Sequence, residues 1–286
     1  MANGDGVLGR DEEPGSTVLG LAQSASSSGS PRLGLVLCVD NLRCLHCSRD
    51  CPHWATTREA SRMRARRRFH SPARIVMEVR RAAAEVASPI DHVVVLSAAE
   101  PTLDRGLGEL IDGLHDLDLR VAVVSTGHLL NRDDVRAELG RADWVSIAVD
   151  AADAASYRDI HGLSPSFDFD SALQGIRTFA ASYRGTLTTQ TTLRGIPSLT
   201  ALEAIADLVS TLGPRHAYLA AARVDADLMT AAMTIFNDRG PTTRLQSPTP
   251  LSLTIPGLAP FGPGLARGRA PRRSSDTGMP AVAALD

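Results

Sequence analysis

Between residues 33 and 221, short apolar runs alternate with amphipathic stretches. The apolar runs fall at 33–39, 92–97, 119–125, 144–149, 187–193 and 217–221, each nearly continuous, which is the pattern of strands buried on both faces in a parallel sheet. The stretches between them predict helices at 72–87, 106–116, 132–139, 170–182 and 199–212, the first opening on Ser71-Pro72, a capping residue followed by proline at the first helical position. Strand and helix in alternation with short links predict right-handed crossovers. About six such repeats in some 200 residues are too few for an eight-stranded barrel, so the expected fold is α/β, a partial (β/α)6-type barrel. In such sheets ligands collect at the carboxyl ends of the strands.

The flanks read differently. Residues 1–31 are rich in Gly and Ser and predict a flexible leader; 32–240 form the core domain; 241–286 turn to Pro, Gly, Ser and Arg and predict a loosely packed tail. The 286 residues are 43% hydrophobic and 22% charged, close to globular averages. A net charge of -2 excludes a generally basic nucleic-acid binder. All 30 basic residues are arginine, which a GC-rich coding bias explains. No apolar run reaches the about 18 residues of a membrane span, and the first residues lack a secretory pattern, so a cytoplasmic protein is expected.

Composition gains chemical meaning at the cysteines. All four, Cys38, Cys44, Cys47 and Cys51, lie within one short segment, which points to metal ligation or redox chemistry rather than a disulfide framework. Three thiolates on a loop at the carboxyl end of the first strand could hold three irons of a [4Fe-4S] cluster and leave the fourth open. Cys44, Cys47, Cys51 and His53 offer a second arrangement, a tetrahedral Cys3His zinc site.

At Asn41-Leu42-Arg43-Cys44-Leu45-His46-Cys47 the chain resembles the cluster motif of the radical S-adenosylmethionine (SAM) superfamily, in the branch related to wybutosine-type tRNA-modifying proteins. Further matches follow in order, each at a strand end: Ser97-Ala98-Ala99-Glu100-Pro101 resembles the GGEP segment, Ser125-Thr126-Gly127 the Thr-Asn-Gly segment, and Ser146-Ile147-Ala148-Val149-Asp150-Ala151 the Ser-Leu-Asp-Ala segment, with Gly195-Ile196 beyond. The resemblance covers residues 33–222 and implies a [4Fe-4S] cluster and SAM as cofactors. It also implies an electron donor such as flavodoxin or ferredoxin, and reductive cleavage of SAM to a 5′-deoxyadenosyl radical that abstracts hydrogen from a substrate. Two positions depart from the family. Its first cluster cysteine falls on Asp40, a harder ligand than thiolate, so the third ligand beside Cys44 and Cys47 is Cys38 or, in an alternative set, Cys51. The paired glycines are Ala98 and Ala99, which add two methyl groups where backbone meets SAM. A degenerate, non-catalytic binding or accessory protein of the same fold is the other reading.

The resemblance implies SAM contacts at Ala98, Ala99, Glu100, Thr126, Ser146, Asp150 and Gln190. Glu100 either holds the SAM amino group or caps the following helix. Ser146 and Asp150 either bond the ribose hydroxyls or start a loop. The inward amide of Gln190, within the predicted strand 187–193, needs a partner, supplied by a ligand or by the core. His46 and His128 lack an orienting carboxylate at readable spacing. Arg58, Arg62, Arg64, Arg66, Arg67 and Arg68 form a basic stretch that reads as a solvated surface, with RNA or nucleotide phosphates as its functional alternative.

Overall fold

The computed structural model describes residues 16–24, 32–39, 66–86, 89–96, 100–161, 167–193, 198–220 and 226–246. Eight strands form one sheet in the order of the chain: β1 (Ser16–Ser24), β2 (Arg32–Val39), β3 (Ile90–Leu96), β4 (Arg120–Ser125), β5 (Trp144–Ala148), β6 (Thr186–Thr192), β7 (His216–Ala220) and β8 (Thr242–Gln246). β1 pairs antiparallel with β2, and every later neighbour is parallel. The helices are α1 (Pro72–Ala84), α2 (Leu107–His115), α3 (Asp133–Leu139), α4 (Ala154–His161), α5 (Phe169–Ser182), α6 (Leu199–Leu212) and α7 (Ala226–Asp238).

Strictly sequential parallel strands joined by right-handed crossovers must carry all their helices on one side, so the sheet curls with a helix-covered outside and a concave inside. Its two ends, β1 and β8, do not pair, which leaves the barrel open. Strand alternation sorts the two faces. Val93, Val95, Val121, Val123, Val145, Ile147, Leu187, Ala217 and Leu219 join the core shared with the helices. The helices meet it with stripes such as Leu202, Ile205, Val209 and Leu212 of α6, spaced three or four residues apart. Local chemistry sets the helix ends. The Asp168 carboxylate accepts from Ser171 N at 3.0 Å before α5, and Ser198 Oγ accepts from Ala201 N at 3.1 Å before α6. Gly213 closes α6 in the left-handed region at φ 61°.

All six expected strands and all five expected helices are present. The sheet also extends beyond the expected core boundaries: β1 lies within 1–31 and β8 begins at Thr242, inside the expected tail. The helices α4 and α7 had no counterpart in the sequence reading. Among the described residues, no helix is long and apolar enough to cross a membrane.

Candidate functional site

The carboxyl ends of β3 to β6 are held by two carboxylates. Glu100 follows β3 and is 1% exposed. Its Oε1 accepts from Thr102 N at 3.1 Å, Thr102 Oγ1 at 2.7 Å and Ser125 Oγ at 2.8 Å, while Oε2 accepts from Thr126 N at 2.7 Å and from Thr126 Oγ1. A carboxylate offers about four lone-pair sites, so five donors saturate it. The capping alternative for Glu100 is therefore realised in the short 3-10 turn Pro101–Leu103, and the same carboxylate binds the end of β3 to that of β4. Thr126 is spent on this latch. Asp150, also buried, does the equivalent for the next pair: its Oδ1 accepts from Thr192 N at 2.7 Å, beside the bond from Thr191 Oγ1 to Val149 O at 2.7 Å.

Between and below these latches, the concave face is polar from β5 onward. In register across the sheet lie Ser146 and Thr188, then Ala148, Gln190, Tyr218 and Arg244, with His216 next to Thr188. Ser146 is buried and Gln190 half-buried, and neither makes a side-chain hydrogen bond among the described residues. The structure thus places Glu100, Thr126 and Asp150 at the carboxyl ends of their strands, with Ser146 and Gln190 just below them on the concave face.

Cys38 is the next-to-last residue of β2, where its backbone pairs with Leu96, the last residue of β3. That register brings it to the same rim. Asp40, Cys44, Cys47, Cys51, His46, His53, Ala98 and Ala99 lie outside the described residues.

One expectation changes. Arg66 is not a solvated charge: its guanidinium, buried against α3, donates to Thr102 O at 2.7 Å and Asp104 O at 2.9 Å and pairs with Asp134 at 2.9 Å and with Glu138. Arg68 pairs with Glu109, and Arg67 lies over the Phe69 ring at 4.7 Å. Arg66 anchors the chain entering α1, whereas Arg67 and Arg68 are exposed, as a solvated stretch predicts. His128, for which the sequence offers no orienting carboxylate, is buried in an aromatic box, edge-on to Tyr157 at 5.2 Å and to Phe167 at 5.1 Å.

Residues that the motifs did not reveal are His216, Tyr218 and Arg244. Burial pushes the Tyr218 hydroxyl up, against the opposing effect of the Arg244 charge, and burial followed by the Arg244 and Arg215 charges pushes His216 down. Their signal was available as period-two alternation in His216-Ala217-Tyr218-Leu219, polar on one face and apolar on the other.

Residues 41–208, more than half of the chain, match the profile of the Radical SAM superfamily. The chain belongs to this superfamily. UPF0026 protein MJ1312 of Methanocaldococcus jannaschii is 31% identical over 193 residues, 66% of this chain and 60% of that protein. A UPF0026 protein of Synechocystis is 32% identical over 103 residues, 36% of this chain and 39% of that protein. The radical SAM chain thus spans less than two thirds of these curated relatives. In fold it is similar to a radical SAM methyltransferase from Sphaerobacter thermophilus, with a TM-score of 0.56 at 16% identity over 88% of this chain and 79% of that one. It is likewise similar to TYW1 with a lysine-pyruvate adduct bound, at 0.50 and 20% over 71% and 73%.

Proposed function

We propose that this radical SAM chain is an enzyme that reductively cleaves SAM and abstracts hydrogen from a substrate held in the concave face of its sheet. The observation that carries the reading is the polar pair on the concave face, Ser146 of β5 and Gln190 of β6, which has no side-chain partner among the described residues and lies beneath the Asp150 latch on the sheet whose β2 leads into the cysteine segment.

The donor set fits the cofactors the superfamily uses. Cys44 and Cys47 with Cys38, or with Cys51, supply three thiolates, and Ser146 and Gln190 supply a hydroxyl and an amide suited to ribose hydroxyls. When bound, the [4Fe-4S] cluster and SAM supply one-electron cleavage of the C5′–S bond and the hydrogen abstraction that follows. The chain does the rest. Glu100 fixes the turn Pro101–Leu103 against Thr126, and Asp150 fixes the end of β5 against Thr192, so these strand ends are preorganised for a ligand. The apolar side chains of Val94, Leu96 and Ala122 on the concave face exclude water beside it. The electron comes from a small donor of the flavodoxin or ferredoxin type. The 286 residues contain no lysine, so no side chain among them can carry an adduct like that named for the TYW1 structure.

Anaerobic reconstitution followed by chemical reduction and SAM alone tests the reading. About one cluster per chain and slow release of 5′-deoxyadenosine are expected, with both lost in Cys44→Ala and Cys47→Ala. Cys38→Ala and Cys51→Ala identify the third ligand. Stoichiometric zinc without iron uptake would select the Cys44, Cys47, Cys51 and His53 site instead, and an intact cluster with no SAM binding would leave an accessory protein.

A further inference from the structure

The concave face continues past Gln190 to a group of side chains that the proposed SAM contacts do not use. Tyr218 is 2% exposed, and its buried hydroxyl has the Arg244 guanidinium beside it but makes no hydrogen bond of normal geometry. His216, two residues earlier on the same face of β7, has a buried Nδ1 that is likewise unpartnered, and its ring lies 6.3 Å from that of Tyr218. Buried polar atoms without full partners are few in folded proteins, and an unbonded imidazole nitrogen beside a phenol that meets only an arginine marks a place built to bond something else. The neighbouring strand supplies the charge. Arg244 pairs in register with Tyr218 on the parallel strand β8, is exposed, and forms no ion pair with any described carboxylate. The in-register positions of β5 to β8 on this face, Ala148, Gln190, Tyr218 and Arg244, include no carboxylate to neutralise it.

A guanidinium, a phenol and an imidazole are all hydrogen-bond donors, and three converging donors with one net positive charge match an oxyanion. Resting on the reaction proposed above, we propose that Tyr218, His216 and Arg244 form a subsite for an anionic oxygen group of the substrate, a carboxylate or a phosphate. The subsite lies on the side of Gln190 away from Ser146, so a substrate anchored there points its remaining atoms along the concave face toward the proposed SAM contacts. Arg244 at the open edge of the barrel gives such a group a way in.

The thermal midpoint of the full-length protein, titrated with inorganic phosphate or with malonate against chloride at matched ionic strength, tests this without any cofactor. A saturable rise with phosphate or malonate is expected, and the anion giving the lower half-saturation names the class. Arg244→Gln should raise that half-saturation about tenfold or more through loss of a charged donor. Tyr218→Phe, which keeps the ring and removes only the hydroxyl, should raise it severalfold and serves if Arg244→Gln does not fold. Arg177→Gln on the outer face of α5 controls for net charge and should leave the response unchanged. No saturable response beyond chloride, or one that survives in Arg244→Gln, overturns the proposal. Phosphate competing with SAM for binding would give the subsite to the cofactor's own carboxylate and overturn it as well. Release of 5′-deoxyadenosine by the wild-type protein is measured separately; its absence would remove the proposed reaction while leaving the anion response to be read on its own.

Discussion

Replacing Glu100 with Gln separates a structural latch from a cofactor ligand, because the hydrogen bonds predict a loss that needs no cofactor. The carboxylate accepts two backbone N–H groups, Thr102 N on one oxygen and Thr126 N on the other, together with three hydroxyls. An amide has one acceptor oxygen and one NH2. In either orientation the NH2 faces a backbone N–H, and although a hydroxyl can turn to accept, a backbone N–H cannot. The variant therefore leaves one buried donor unsatisfied and weakens the charge assistance of the rest, a cost of about 2–4 kcal/mol. For a domain of 150–250 residues this lowers the thermal midpoint by about 5–15 °C. The assay is thermal unfolding followed by circular dichroism on the metal-free, SAM-free protein. A wild-type midpoint combined with lost SAM binding would refute the latch and make Glu100 a direct SAM ligand.

Two further outcomes follow from packing and charge. Gly175→Ala in α5 should destabilise by about 1–3 kcal/mol or prevent folding, because its Cβ would stand 2.2 Å from Asn131 N and 2.3 Å from Leu130 C, backbone atoms that cannot move aside alone; urea unfolding measures it. Asp134 is held well below its ordinary value of 3.8 by the hydrogen bond from Arg132 first and by Arg66 as well. A depressed carboxylate stabilises the fold above its ordinary value and loses that contribution as the pH falls below it. The stability difference between the wild-type protein and Asp134→Asn should thus shrink between pH 5 and pH 3, and it stays small throughout because the side chain is 47% exposed.

How much was legible in the sequence depended on whether the signal was periodic or relational. Apolar runs, and at β6 a β-branched threonine-rich one, gave β2 to β7 with ends close to those observed. β8 was missed because Thr242-Thr243-Arg244-Leu245-Gln246 is polar and sits among prolines; as an edge strand it needs only one buried side, and Thr243 supplies it. α4 was missed because its start depends on Asp153, whose Oδ1 accepts from Ala155 N and Ser156 N at 2.9 Å each, a cap rather than a period. Glu100 and Asp150 follow β3 and β5 as motif order expects, while Ser146 sits in the middle of β5. That order did not show that the Glu100 carboxylate is fully engaged, because its donors Ser125 and Thr126 are 25 and 26 residues away. Arg66 went wrong for the same reason: a run of arginines looks solvated until Asp134 and Glu138, nearly 70 residues on, fold against it.

The concave face is not uniform, and its gradient bears on how one sheet can serve radical chemistry and recognition together. On β3 and β4 it presents Val94, Leu96, Ala122 and Val124, with His92 and Arg120 only at the amino ends, whereas from β5 to β8 it presents Trp144, Ser146, Thr188, Gln190, His216, Tyr218 and Arg244. The apolar half adjoins β2, whose end leads into the cysteine segment, and it offers few groups that hold water or donate a competing hydrogen atom. The polar half begins where the Asp150 latch joins β5 to β6, at the point where a ligand's hydroxyls and charges would need partners. Trp144 Nε1 donates to Thr188 Oγ1 and Thr188 Oγ1 to Val145 O, each at 3.4 Å, and Arg244 is exposed, but Ser146, Gln190, His216 and Tyr218 have no evident folding reason to stand on this face, because each polar group taken from water costs stability unless it is bonded. That cost makes sense if ligands complete the bonding, with SAM meeting Ser146 and Gln190 and an anionic substrate meeting Tyr218 and Arg244. The helix-facing side, apolar along β3, β4 and β5, then supplies the stability that lets the inner side remain unfinished.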